Sequence, residues 1–127
     1  MVAWFERLLG GCAYLHGMGP PIIHRDISPQ NIILREPDGE PVLVDFGTVQ
    51  AALRKGSDTV STAAGTLGFS PLEQSVGRAT PASDLYSLAM TWLCVATGVE
   101  PDQMPFADNR VQVRKLLADT GDGWPLW

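Results

Sequence analysis

Two short apolar runs joined by a turn-forming stretch constrain the fold of this chain more than any other feature. Residues 31–34 (NIIL) and 42–44 (VLV) are rich in β-branched and apolar side chains, and residues 36–40 (EPDGE) between them have the composition of a turn. The pattern predicts a β-hairpin. Because antiparallel pairing brings the two open ends of a hairpin together, we expect Asn31 to lie beside Asp45.

Polar side chains with a shared chemistry flank this predicted hairpin. The stretch HRDISPQN (residues 24–31) leads into the first strand, and DFG (residues 45–47) follows the second. Transfer of a phosphoryl group needs a carboxylate near the acceptor hydroxyl and oxygen ligands for the Mg²⁺ that bridges the phosphates. Asp26, Asn31 and Asp45 are the residue types that this chemistry requires.

In these motifs the chain resembles the eukaryotic-type (Hanks-type) serine/threonine protein kinases, which bacteria also carry, and the similarity covers most of its length. It looks like the C-terminal lobe. The implied fold class is mainly α with a small β-hairpin (α+β), and residues 1–127 are expected to be a partial kinase domain truncated at both ends. No GxGxxG loop and no strand lysine precede the first predicted helix, so the N-terminal lobe is expected to be a missing partner and the chain alone inactive.

The resemblance implies ATP and Mg²⁺ as cofactors and a protein substrate. It makes Asp26 the catalytic base that orients the substrate hydroxyl. It makes Asn31 and Asp45 the Mg²⁺ ligands, and therefore contacts of the bound nucleotide, and Ile33 the floor of the adenine pocket.

Switching and packing roles are also implied for residues near these motifs. Arg25 resembles the basic residue that pairs with a phosphate on the activation loop, while His24 and Phe46 resemble members of the packed spine that joins the lobes, and Gly47 completes the DFG motif. Residues 48–64 are the candidate activation loop. We expect one of four hydroxyls there to be phosphorylated: Ser57, Thr59, Ser61 or Thr62.

Residues 65–74 (GTLGFSPLEQ) are similar to the family's segment that lies under the substrate peptide. Thr66 in this segment favours a serine/threonine acceptor, and Glu73 keeps its register although PLE replaces the usual APE. The family pairs this glutamate with an arginine of a late helix, and Arg110 and Arg114 come too early in the chain. Without that partner, Glu73 is expected to be a partly buried carboxylate with an unpaired charge.

The catalytic-loop motif departs from the family at a second place. Serine/threonine kinases usually have a lysine where Ser28 stands, and tyrosine kinases an arginine where Gln30 stands. Neither usual cation can therefore stabilise the developing charge from this loop. Ser28 could still donate a hydrogen bond, and a cation from elsewhere could substitute.

Two alternative functions stay open at this point. The first is a non-catalytic, pseudokinase-like scaffold that binds partners through the activation segment and the helix after Pro105; the intact set of Asp26, Asn31 and Asp45 counts against it. The second is a small-molecule phosphotransferase of the aminoglycoside-kinase type, which also places an aspartate and an asparagine five residues apart. The DFG motif and residues 65–73 fit that class badly.

Apolar periodicity predicts three helices. The first spans residues 2–16; the second is capped by Ser83, runs to about Thr97 and ends at Gly98; the third spans residues 109–117. The resemblance implies that Asp84, in the first turn of the second helix, is architectural and accepts hydrogen bonds from the backbone of the catalytic loop.

Composition excludes several classes of protein. A net charge of −5 argues against a nucleic-acid surface, and the apolar stretch of residues 85–99 is too short and too interrupted to span a membrane. Cys12 and Cys94 lie in apolar segments without a CxxC spacing, which predicts buried, reduced thiols and favours a cytoplasmic protein.

Overall fold

The computed structural model describes residues 2–45 and 68–121. Helices predominate in this part of the chain and two small antiparallel hairpins accompany them, in agreement with the predicted fold class. The elements are α1 (Val2–His16), β1 (Ile32–Arg35), β2 (Glu40–Leu43), α2 (Leu72–Ser75), α3 (Pro81–Thr97), β3 (Phe106–Ala107), β4 (Arg110–Val111) and α4 (Val113–Asp119), with 3-10 turns at Pro29–Asn31 and Pro101–Gln103.

Helix α3 forms the centre of the packing. Leu88 and Met90, two residues apart and so about 200° apart around the helix axis, belong to two different apolar clusters. One cluster joins α3 to α4 and to the chain before α2; its buried members are Phe69, Met90, Leu93, Cys94, Met104 and Leu116. The other joins α3 to α1 and the first hairpin; its buried members are Leu8, Cys12, Ile27 and Leu88. The prediction of a core helix here is confirmed.

The boundaries of α3 correct one prediction. Its N-cap is Thr80, and the Ser83 hydroxyl, at the third helical position, accepts the Thr80 N–H at 3.0 Å in a capping box. Ser83 is therefore inside the helix, which begins earlier because Pro81 has a φ already suited to a first helical turn. The C-terminal end matches the prediction, since Gly98 adopts a left-handed conformation with φ +69°.

The first helix and the first hairpin follow the sequence pattern closely. Helix α1 covers the predicted residues and packs against α3 and β2. Strands β1 and β2 pair with Ile32 opposite Leu43 and Arg35 opposite Glu40, and the Gly39 N–H donates to the Arg35 carbonyl at 2.7 Å to close the turn.

A second hairpin replaces the start of the third predicted helix. Asp108 and Asn109 both adopt left-handed conformations, with φ of +51° and +59°, and form the two-residue turn between β3 and β4. Asp and Asn tolerate this conformation better than other non-glycine residues. The helix of residues 109–117 was therefore predicted too early: α4 begins at Val113.

Both cysteines are buried and free, as predicted. None of the helices in residues 2–45 and 68–121 is long and apolar enough to cross a bilayer.

Replacing either of two glycines with alanine tests this fold, because we expect the two substitutions to change the stability in opposite directions. Gly68 has φ +85°, and a Cβ built on it would lie 2.7 Å from the Cβ of Pro101, whereas a Cβ on Gly10, inside α1, would meet nothing within 4 Å. We expect Gly68→Ala to lower the free energy of unfolding by about 2 kcal/mol and Gly10→Ala to raise it by roughly 0.5–1 kcal/mol. Urea titration followed by circular dichroism measures both; equal effects of the two substitutions would contradict the packing described.

Candidate active site

A left-handed turn at residues 24–26 precedes the first hairpin. Arg25 has φ +72°, a conformation that costs a non-glycine residue about 1 kcal/mol or more. The carboxylate of Asp84, on α3, accepts the His24 N–H at Oδ2 (2.8 Å) and the Arg25 N–H at Oδ1 (2.9 Å). Two charge-assisted hydrogen bonds to one buried acceptor thus hold the turn in this conformation.

His16, at the end of α1, provides a third contact to the same carboxylate. Its Nε2 lies 2.8 Å from Asp84 Oδ2, and the Asp84 side chain is 1% exposed and that of His16 12% exposed. A carboxylate so fully removed from water is stable only when its oxygens are well paired. The two oxygens of Asp84 therefore join α1, α3 and the left-handed turn.

The ring of His24 connects the turn to the second strand. Its Nδ1 accepts the Asp26 N–H at 3.2 Å, and its Nε2 lies 3.0 Å from the carbonyl oxygen of Val44. Because Nδ1 acts as an acceptor, the ring is neutral and carries its proton on Nε2, which donates to Val44. His24 is fully buried and ties the backbone of Asp26 to the residue before Asp45.

Asn31 lies between the turn and the hairpin. Its Nδ2 donates to the Asp26 carbonyl at 2.8 Å and to Asp26 Oδ2 at 2.9 Å, while its own carbonyl accepts the Val44 N–H at 2.9 Å. The hairpin therefore brings Asn31 beside the strand end that carries Asp45, as predicted. Asp45 is exposed and left-handed, with φ +65°.

The donor set fits Mg²⁺. The amide nitrogen of Asn31 is engaged by Asp26, which leaves Oδ1 as the oxygen that a cation would meet, and Asp45 adds an exposed carboxylate. Mg²⁺ takes oxygen ligands and is commonly bound through one or two carboxylates, waters and substrate phosphates.

Ile33 and Ser28, which the sequence analysis singled out, differ in solvent exposure. Ile33, on β1, is 56% exposed, so its side chain presents an apolar surface beside Asn31. Ser28 is 0% exposed. The short side chain of Ser28 is therefore enclosed under the loop and is not displayed at the surface.

The expectation for Glu73 is also corrected. Glu73 lies on the one-turn helix α2 at the surface, where its carboxylate is exposed and accepts a hydrogen bond from the Ser83 hydroxyl at 3.3 Å. It is thus exposed rather than partly buried, and its hydrogen-bond partner is a hydroxyl. The residue of this helix that faces the interior is its neighbour, Gln74, which is 5% exposed.

Two residues that contact this site were missed by the sequence reasoning. Gln74 donates from Nε2 to the Arg25 carbonyl, and His16 contacts Asp84. Neither carries a local signal: a glutamine in a polar surface segment and a histidine at a helix end are ordinary in both places. Their contacts span 49 and 68 residues of sequence.

Several predicted residues lie outside the described part of the chain. They are Phe46, Gly47, Thr66 and the four candidate phosphorylation sites Ser57, Thr59, Ser61 and Thr62.

The Asp84 carboxylate gives the sharpest test of this arrangement. We expect Asp84→Asn to lower the free energy of unfolding by about 3 kcal/mol, because one of its oxygens becomes a donor facing a backbone N–H. Asp102→Asn makes the same chemical change at an exposed position and should have almost no effect. Urea denaturation of the two variants checks this; equal stabilities would refute the role of Asp84.

The buried thiol of Cys12, beside Asp84, predicts that the protein loses folding stability as the pH rises into the alkaline range. Burial, and to a smaller extent the Asp84 charge, raises the pKa of this thiol from 9.0 to about 11. Between these values the unfolded chain loses the proton and the native chain keeps it, so this contribution to stability is complete below pH 9.0 and is lost as the pH rises to about 11. Urea titrations across this pH range should show that the free energy of unfolding declines less steeply with pH for Cys12→Ala than for the original protein. An equal decline in both proteins would contradict the prediction.

Comparison with known proteins identifies the family of this chain. A family model described as "Protein kinase domain" matches residues 1–120. Serine/threonine-protein kinase PknA of Nostoc sp. is 45% identical over 103 residues, which are 77% of this chain and 18% of that protein. Serine/threonine-protein kinases C and D of Synechocystis sp. are each 46% identical, over 70% and 72% of this chain and 17% and 19% of their own lengths.

The chain thus spans about a fifth of the length of these curated relatives. The resemblance to bacterial-type serine/threonine kinases that the motifs predicted is confirmed by the family match and by the relatives. The chain belongs to the protein kinase family.

Proposed function

We propose that this chain carries the catalytic base, the magnesium ligands and the substrate platform of an ATP-dependent serine/threonine protein kinase. The observation that carries the proposal is the position of Asn31, whose side chain is bonded to Asp26 and whose backbone carbonyl is bonded to Val44, the residue before Asp45. One residue thereby fixes the carboxylate that would act as a base relative to the carboxylate that would hold a cation.

In the proposed reaction, a serine or threonine hydroxyl of a protein substrate attacks the γ-phosphorus of ATP. Asp26 accepts the hydroxyl proton, the bond to the β–γ bridging oxygen breaks, and ADP leaves. The Asn31 amide on Asp26 Oδ2 orients the carboxylate, so that its other oxygen is turned toward the acceptor. Asn31 Oδ1 and Asp45 would hold Mg²⁺, which would supply positive charge to the phosphate oxygens.

The exposed Ile33 is suited to contact the adenine ring, since it lies on β1 two residues after Asn31. Arg25 is the proposed partner of a phosphate on Ser57, Thr59, Ser61 or Thr62. Phe46 is proposed to belong to the packed spine that joins the lobes, Gly47 to complete the DFG motif, and Thr66 to contact the acceptor serine or threonine.

The burial of Ser28 bears on how charge is stabilised in the transition state. No cation replaces the usual lysine at this position, so stabilisation must come from Mg²⁺ and from groups outside residues 24–31. The N-terminal lobe of a kinase domain supplies such groups, and we propose that a longer protein provides it, so that this segment alone transfers phosphate poorly. The free thiols of Cys12 and Cys94 are consistent with the proposed cytoplasmic location.

The same burial favours a second candidate, a non-catalytic binding module that retains the fold. The two functions differ in nucleotide binding. A magnesium-dependent ATP-binding signal in the complete protein supports the kinase, whereas its absence supports the binding module.

Substitution of the proposed base tests the kinase assignment directly. In the full-length protein that contains this chain, we expect Asp26→Asn to lower turnover by about a hundredfold or more, because the amide cannot accept the hydroxyl proton. Radiolabelled phosphate transfer from ATP to a generic serine-containing protein measures the rate. Asp38→Asn, in the exposed turn of the first hairpin, is the matched control and should retain activity. Turnover that survives in Asp26→Asn would exclude Asp26 as the base.

A further inference from the structure

The short helix α2 contacts the left-handed turn through one inward-facing side chain. Leu72 and Val76, at and just beyond the ends of this helix, are 71% and 64% exposed, whereas Gln74 is 5% exposed. Burying an uncharged amide is costly unless it is hydrogen-bonded. The orientation of Gln74 therefore depends on the polar groups that it meets inside.

Gln74 meets the backbone of the turn. Its Nε2 donates to the Arg25 carbonyl oxygen and lies 3.5 Å from the Ser70 hydroxyl. The N–H of Arg25 is already bonded to Asp84. Arg25, the residue in the left-handed conformation, thus has its N–H held by α3 and its carbonyl held by α2.

The carbonyl of Arg25 and the N–H of Asp26 belong to a single planar peptide group. Gln74 holds the oxygen end of this group and His24 Nδ1 holds its N–H end at 3.2 Å. The next peptide group is held as well, since the Asp26 carbonyl accepts a hydrogen bond from Asn31 at 2.8 Å. Asp26 therefore lies between two peptide planes that side chains fix in place.

The segment that carries Gln74 is itself anchored at its other end. Gly68 packs so closely against Pro101 that a Cβ would lie 2.7 Å from the proline ring, and Phe69 is buried in the core. Residues 68–75 thus connect the core near Pro101 to the peptide before Asp26. A shift of this segment would move the Gln74 amide relative to the Arg25 carbonyl.

We propose that Gln74 is a positioning residue that couples the segment of residues 68–75 to the orientation of Asp26. The proposal rests on the proposed kinase function, in which this segment lies under the substrate peptide. Gln74 touches no reacting atom. It acts through the Arg25–Asp26 peptide group, so its loss affects the chemical step and leaves nucleotide binding unchanged.

Kinetics of the full-length protein test this coupling. We expect Gln74→Leu, which keeps the approximate size and removes the donor, to lower kcat by about tenfold, the effect of losing one buried hydrogen bond. The KM for ATP should stay within about twofold of the original value, because uniform nucleotide binding is not affected. Gln103→Leu is the matched control, since it makes the same change at an exposed glutamine on the Pro101–Gln103 turn, and it should leave kcat unchanged.

Hydrogen exchange measured by mass spectrometry separates positioning from a general loss of stability. In Gln74→Leu, the amides of residues 24–27 should exchange faster while those of β1 and β2 keep their protection. Gln74→Met provides a second variant of similar length that lacks a donor, and it should show the same local change. Unchanged kcat with unchanged exchange at residues 24–27 would overturn the proposal, as would faster exchange spread evenly over the chain.

The exchange measurement also distinguishes this proposal from the proposed function. If the full-length protein transfers no phosphate, the kinase assignment fails. Local release of residues 24–27 in both Gln74 variants would still support the structural coupling, and its absence would refute it.

Discussion

The buried carboxylate of Asp84 is the contact on which the rest of the site depends. It lies on the central helix α3 and accepts hydrogen bonds from the end of α1 and from two consecutive amides of the left-handed turn. Removing a carboxylate from water costs several kcal/mol unless its oxygens are paired, and these hydrogen bonds offset that cost. A helix, a loop and a distant histidine are thereby held in one arrangement, and the strained conformation of Arg25 persists because of it.

The turn also positions the residues on either side of the first hairpin. The His24 ring and the Asn31 side chain both contact Asp26, and the His24 ring and the Asn31 backbone carbonyl are both bonded to the backbone of Val44, the residue before Asp45. The short chain between the turn and β1 buries Ser28 completely. The sequence shows that this loop lacks the usual cation, and the structure adds that the serine in its place is enclosed.

Much of the fold and part of the site could be predicted from sequence. The hairpin, helix α1 and the end of α3 follow from local patterns, namely β-branched runs around a turn, apolar residues at helical spacing and a glycine able to adopt positive φ. The errors have physical reasons. Thr80 displaced Ser83 as the cap because Pro81 favours an earlier start, and two left-handed residues, Asp108 and Asn109, made a hairpin where a helix was predicted. The remaining errors concern packing. They are the exposure of Glu73 and the contacts of Gln74 and His16, which depend on residues far apart in the chain.

The sequence by itself determined which chemical groups are present and in what order, because the motifs around Asp26, Asn31 and Asp45 are read from neighbouring residues. It also determined the elements that present them, since helix and hairpin formation depend on local periodicity and turn chemistry. Only the tertiary structure decided that Gln74 faces the turn while Glu73 faces solvent, that Ser28 is enclosed and that His16 meets Asp84. Burial and long-range hydrogen bonds depend on how elements pack against each other, and no local pattern carries that information.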